Sequence, residues 1–172
     1  MPIALVTGGT AGIGAAFARA LADRGYDLVL VARTASRLEE VAGELRARGR
    51  GVETIVADLG ADADVQRVAV RLRDAERPVD LLVNNAGYGM KSRLDDPDLA
   101  EADDAISVMM RTPLVLAAAA GPGMRERGHG AIVNVASVAG YLSMGLYSAI
   151  KAWLRVYSES LANALHGTGV TV

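Results

Sequence analysis

Cysteine is absent from the 172 residues. That excludes disulfides, thiolate metal ligands and a cysteine nucleophile. Aromatic side chains make up only 4%, so the core has to be built from aliphatic and small residues. Neither charge is in clear excess: 18 basic residues stand against 20 acidic ones, for a net charge of −2. A general nucleic-acid binder needs a basic surplus, which excludes that class. Mean hydropathy is positive, yet no uninterrupted apolar run approaches the ~20 residues that span a bilayer. The first strand-like run opens at Ile3, which predicts no secretory leader. The expectation is a one-domain cytoplasmic protein with neither a membrane nor a nucleic-acid partner.

What is present is alternation. Five short runs are mainly apolar at consecutive positions: Ile3–Thr7, Asp27–Ala32, Val52–Ala57, Val79–Val83 and Ala131–Val135. Such runs mark strands buried on both faces. Helical spacing fills the intervals. Ile13–Arg24 is alanine-rich and ends before Gly25. Ser36–Arg48 puts Leu38, Val41 and Leu45 on one face and ends before Gly49. Asp62–Glu76 does the same with Val65, Val68 and Leu72 and is stopped by Pro78. Glycine and proline are the expected stop signals. Leu99–Met110 begins a long helix continuing through Leu114–Ala120, with Pro113 as a kink or a fresh start. A last helix runs from Leu146 to His166 before Gly167, and Val170–Val172 opens a sixth strand. The alternation predicts right-handed βαβ crossovers and an α/β fold, a single doubly wound Rossmann-type domain on a parallel sheet. Ligands of such sheets bind at the carboxyl ends of the strands, where the strand order switches.

The first strand leads into Thr7-Gly8-Gly9-Thr10-Ala11-Gly12-Ile13-Gly14. Gly8 permits a tight turn, Gly12 lets the backbone approach a pyrophosphate, and Gly14 lets the helix pack closely on the strand. The amides of the helix start then face the diphosphate. A glycine-rich turn alone reads as a mobile connection. This one follows a strand and opens a helix, the context that dinucleotide binding requires.

The spacing G-x-x-x-G-x-G after Thr7 resembles that of the short-chain dehydrogenase/reductase family. Asn84-Asn85-Ala86-Gly87 after the fourth strand is similar to the family's N-N-A-G. Ser137 lies just beyond the fifth strand, and Tyr147-Ser148-Ala149-Ile150-Lys151 is similar to its Y-x-x-x-K. The resemblance covers Pro2 to Val172 and implies an NAD(P)-dependent oxidoreductase. It assigns catalysis to Ser137, Tyr147 and Lys151. It assigns cofactor contacts to Gly8, Thr10, Gly12, Ile13, Gly14, Arg33, Asp58, Leu59, Asn85, Ala86, Gly87, Tyr147 and Lys151, and no metal site. Asp58-Leu59 matches the family's adenine-contacting pair, although an acid there also reads as a helix N-cap.

The family reads the adenosine ribose at the end of the second strand. A carboxylate there repels a 2′-phosphate. This chain has Val31-Ala32-Arg33-Thr34, with Arg37 one turn on, and no acid. A guanidinium suits a phosphate dianion by fork geometry and charge. The expected cofactor is therefore NADP rather than NAD. Thr10 and Ala11 supply no second basic residue inside the turn.

Tyr147 and Lys151, four apart on a helix, project from one face. A phenol of ordinary pKa, about 10, is a poor base near neutrality, and a neighbouring ammonium favours phenolate. By resemblance, Lys151 holds the nicotinamide ribose, Tyr147 exchanges a proton with the carbonyl or alcohol oxygen, and Ser137 hydrogen-bonds that oxygen. The implied substrate is a small apolar carbonyl or alcohol, with Tyr88, Met90, Tyr141, Leu142 and Met144 as candidate pocket residues. The stripe Trp153, Val156, Tyr157, Leu161 and Leu165 reads as core or as a subunit interface. The family precedent implies a homodimer or homotetramer.

Three departures qualify the match. Met109 falls where the family carries a proton-relaying Asn, and a thioether cannot replace an amide. Ser137 and Tyr147 are closer in sequence than is usual in the family. Family domains also continue past the sixth strand into a substrate lid and a seventh strand, so the expectation is a domain cut short there. These departures motivate an alternative, a catalytically impaired NADP(H)-binding scaffold or redox-responsive module. A sugar-nucleotide epimerase ranks below both, because the glycine spacing of that group differs.

Overall fold

Parallel pairing throughout joins β1 (Ile3–Thr7), β2 (Asp27–Ala32), β3 (Val52–Val56), β4 (Leu81–Asn84), β5 (Gly130–Asn134) and β6 (Val170–Thr171). The computed structural model describes all residues, Met1–Val172. The strand order is β3-β2-β1-β4-β5-β6, so the winding reverses between β1 and β4 and opens a crevice there. Leu5 stands opposite Val29 on one side and Leu82 on the other.

Side chains alternate across the sheet and fill both faces. On one face Leu5, Val29, Val31, Leu82 and Ile132 pack against α3 (Asp62–Leu72) and α5 (Thr112–Arg127). On the other, Ala4, Val6, Leu28, Leu30 and Val83 meet α1 (Gly12–Asp23) and α2 (Ala35–Ala47). This double burial is why the strands read as continuous apolar runs. Gly25, Gly49 and Gly167, the expected stops, all adopt positive φ.

The long helix differs from expectation. It starts as α4 (Ala100–Ile106), passes through a π-helical turn over Ser107–Arg111, and resumes as α5 with Pro113 in its first turn. Arg111 and Thr112 keep helical dihedrals, so the helix is unbroken there and Pro113 sits where the π-turn hands over to the α-helix. Pro113 is thus not a separate start, and the helix runs on through Pro122 to Arg127 before Gly128 turns left-handed. Together these 28 residues include an 18-residue window of mean hydropathy 1.3, long and apolar enough to cross a membrane. This departs from the expectation that no segment qualifies; the window tolerates Arg111, which breaks an uninterrupted run. In the fold 56% of the window is buried, with Leu116, Ala120 and Met124 against the sheet. The final helix, α6 (Leu146–Ala164), turns Ile150 and Leu154 inward. Of the aromatic stripe, Tyr157 and Leu161 pack on the core, Leu165 is buried, Trp153 stacks on Tyr157, and Val156 stays exposed.

The glycine turn is locked to β4. The Thr7 Oγ1 accepts from the Asn85 and Ala86 amides at 2.9 and 3.1 Å and donates to the Val83 carbonyl at 3.3 Å. The Asn85 side-chain amide donates back to the Thr7 and Gly8 carbonyls at 2.9 and 3.3 Å. Gly14 completes the contact, because a Cβ there would strike the Gly8 carbonyl oxygen and the Asn85 amide.

Gly14→Ala should therefore lower stability by about 2 kcal/mol or more, the range for overpacking a site that cannot relax. An unchanged urea midpoint would contradict this contact. Thr7→Val keeps the shape but leaves two amides unpaired, at a cost of about 2 kcal/mol. Equilibrium denaturation with an unshifted midpoint would show that solvent satisfies them instead.

Candidate active site

A cavity of about 620 Å³ lies at the carboxyl ends of the strands. The glycine turn contributes Gly8, Thr10, Gly12 and Ile13; β2 and its exit contribute Ala32, Arg33, Thr34 and Arg37. Ala57, Asp58 and Leu59 follow β3, Asn85 to Gly89 follow β4, and Val135 to Ser137 follow β5, with Tyr147 and Lys151 from α6. Every residue expected to serve catalysis or cofactor binding lines this space except Gly14, which lies beneath it as the packing contact described above; of the expected substrate-pocket residues only Tyr88 does. Sequence reasoning missed the strand-end walls Val31, Ala57 and Val135 and the π-turn residue Val108. Their only signal was their place next to motif residues.

One end of the cavity suits an anion. Gly12 has φ +50, and nothing lies within 4 Å of where its Cβ would point. The α1 N-terminus opens there with no side-chain cap on its amides, which leaves them free for a ligand. Arg33 and Arg37 line the space and form no ion pair, whereas Arg19, Arg46, Arg67 and Arg71 each meet a carboxylate elsewhere. Asp58 is not the cap of α3. Its carboxylate accepts from the Gly60 amide at 3.0 Å, and its own amide donates to Asp64 at 2.7 Å.

The other end gathers the polar groups. Ser137 caps the 3₁₀ turn Val138–Tyr141, its Oγ accepting from the Ala139 amide at 3.1 Å. Lys151 is only 5% exposed, and its Nζ donates to the Val135 carbonyl at 2.8 Å. Burial lowers the pKa of its ammonium from the ordinary lysine value. The same Nζ lies 5.7 Å from the centre of the Tyr147 ring. Gly140 lets the 3₁₀ turn press on α6, since a Cβ there would lie 2.9 Å from the Lys151 carbonyl carbon and oxygen. The short Ser137–Tyr147 segment therefore still brings both side chains to one cavity. Tyr141, Leu142 and Met144 on that segment are exposed, with the Arg155 guanidinium over the Tyr141 ring at 4.8 Å. Met90 packs on the core instead of standing in the cavity wall.

Met109 sits in the π-turn, 1% exposed, with its sulfur 3.0 Å from where a Gly87 Cβ would stand. It fills apolar space beneath the loop after β4. A polar chain runs below the site, unseen in the sequence. The Asn84 amide donates to the Asn134 oxygen at 2.9 Å, the Asn134 amide to Ser158 Oγ at 2.9 Å, and Ser158 to the Leu154 carbonyl at 2.7 Å. It ties β4 to β5 and β5 to α6. Tyr88 also lines the cavity, but its hydroxyl donates to Asp104 on α4. Burial, then the Asp104 hydrogen bond, raises the pKa of this phenol above its usual range, and Arg33 opposes the shift.

Residues 2–172 match the family described as short chain dehydrogenase. Sulfoacetaldehyde reductase 2 of Chromohalobacter salexigens is 41% identical, over 99% of this chain and 69% of the relative. The very-long-chain 3-oxoacyl-CoA reductase of Anas platyrhynchos is 39% identical, over 98% of this chain and 56% of the relative. Among solved structures, a short-chain dehydrogenase from Sphingobium yanoikuyae in complex with NADPH superposes with a TM-score of 0.94 at 38% identity, over 99% of this chain and 68% of that one. This chain thus spans between about half and about two thirds of the length of these proteins. With the sheet order, the locked glycine turn and the gathered Ser137, Tyr147 and Lys151 all in place, the chain belongs to the short-chain dehydrogenase family.

Proposed function

We propose that the protein is an oxidoreductase that transfers hydride between NADP(H) and a small apolar carbonyl or alcohol. One observation carries the reading: Ser137, Tyr147 and Lys151 open onto the same cavity as the glycine turn and two unpaired arginines. The residues present fit a dinucleotide, since Gly12 leaves its side of the turn empty and the α1 amides have no side-chain cap. Those amides would hold the diphosphate, and Arg33 and Arg37 would hold the 2′-phosphate. NADPH in the Sphingobium yanoikuyae relative supports the choice of cofactor.

Nicotinamide, when bound, supplies or receives the hydride. Tyr147 gives its phenolic proton to the carbonyl oxygen in reduction and takes it back in oxidation. Ser137 donates a hydrogen bond to the same oxygen as charge develops. The Lys151 ammonium has one donor committed to Val135, which leaves two for the ribose. The exposed Val138, Leu142 and Met144 suit an apolar substrate.

Met109 favours a second reading, a dinucleotide-binding module without turnover, because no amide stands at that position to relay protons.

Tyr147→Phe separates the two. We expect kcat to fall by about 10³-fold with the NADPH Kd within about threefold of the parent. A parent inert toward a panel of aldehydes and ketones, yet binding NADPH, would establish the binding module instead. Arg33→Ala should weaken NADPH about tenfold, the loss of one charged hydrogen bond. NADH should shift less than twofold. Equal losses for both dinucleotides in a fluorescence titration would remove Arg33 from phosphate recognition.

A further inference from the structure

Helix α4 carries three acids that the chemistry above does not use, and two of them hold neighbouring loops. Glu101 and Asp104 stand three residues apart, on one helix face. Glu101 accepts from the Lys91 amide at 3.2 Å and the Ser92 amide at 2.6 Å. Asp104 accepts from the Tyr88 hydroxyl. Both acids thus hold the loop that leaves β4, whose residues Tyr88 and Gly89 form cavity wall.

Asp104 also faces a second cavity loop. Gly60 follows Asp58 and Leu59, and a Cβ at Gly60 would strike an Asp104 carboxylate oxygen. The same helical segment is fastened to that loop twice more. Arg111 pairs with Asp62 at 2.7 Å, and the buried Thr112 hydroxyl donates to the Leu59 carbonyl at 2.9 Å. Asp104 therefore stands between the loop after β3 and the loop after β4.

We propose that Asp104 is a positioning residue for the dinucleotide: by anchoring the Tyr88 hydroxyl it fixes the cavity wall that faces the adenosine end, and it couples the loops after β3 and β4. The proposal rests on reading the cavity as the NADP(H) site. Without the anchor the phenol has no fixed partner, and the loop is held by Glu101 alone. Gly60 directly follows Asp58 and Leu59, the wall residues assigned to the adenine, which puts Asp104 on the adenosine side of the cavity.

The test is a double-mutant cycle of Tyr88→Phe and Asp104→Ala, read by NADPH titration and by amide exchange of residues 89–93 without cofactor. Alanine suits a helical position, and Phe keeps the ring, so both variants should fold; urea midpoints check this. Each single variant should raise the NADPH Kd about tenfold, the loss of one charged hydrogen bond. The double variant should lie within about twofold of the weaker single, because both changes remove the same bond. Exchange over 89–93 should quicken in all three. The proposal is overturned if Asp104→Ala binds NADPH within twofold of the parent, if the losses add, or if exchange is unchanged. A parent that fails to bind NADPH overturns the cofactor reading and this one with it. A parent that binds while the variants match it overturns only this one.

Discussion

A ligand crevice at the centre of a sheet sets two demands against each other. Strands have to part to admit the ligand, yet every backbone group at the parting needs a partner. Here β1 and β4 pair through Ala4, Leu5 and Val6, opposite Leu81, Leu82 and Val83. Beyond that point the Thr7 hydroxyl takes over, accepting two amides that the departing strand leaves behind. Asn85 returns the favour to the Thr7 and Gly8 carbonyls. The glycine turn, the α1 N-terminus and the mouth of the cavity all take their positions from this seam.

The same solution recurs at the end of β5. The Val135 carbonyl receives the Lys151 ammonium, so a group made available at a strand end becomes the anchor for a buried cation. The turn that carries Ser137 is held by a close approach at Gly140. Side chains that finish the sheet's hydrogen bonding thus also shape its site. Met109 is the exception: it serves packing alone beneath Gly87.

Features carried by local chemistry were legible in the sequence. The buried runs, the glycine stops at Gly25 and Gly49, and the spaced motifs announced strands, helices and cavity, because each depends on a few consecutive residues. Features made by distant partners were not. The chain from Asn84 through Asn134 to Ser158 joins three elements, and no local pattern marks it. The partner of Tyr88 is hidden for the same reason: its ring lines the cavity as expected, while nothing local marks Asp104 as the acceptor of its hydroxyl. The π-turn also escaped notice, since Ser107–Arg111 keeps ordinary helical spacing and only packing decides the extra residue per turn. Pro122 hid the length of α5, because a proline inside a helix usually ends one.

Lysine scarcity gives this architecture a practical side. Lys91 and Lys151 are the only two lysines, and the burial of Lys151 beside Tyr147 withdraws it from solvent. Lys91, exposed on the loop held by Glu101, is then the one side-chain amine open to acylating reagents. A fluorophore or a surface tether attached through lysine would land on the loop bordering the cavity, where it would report motion at the site.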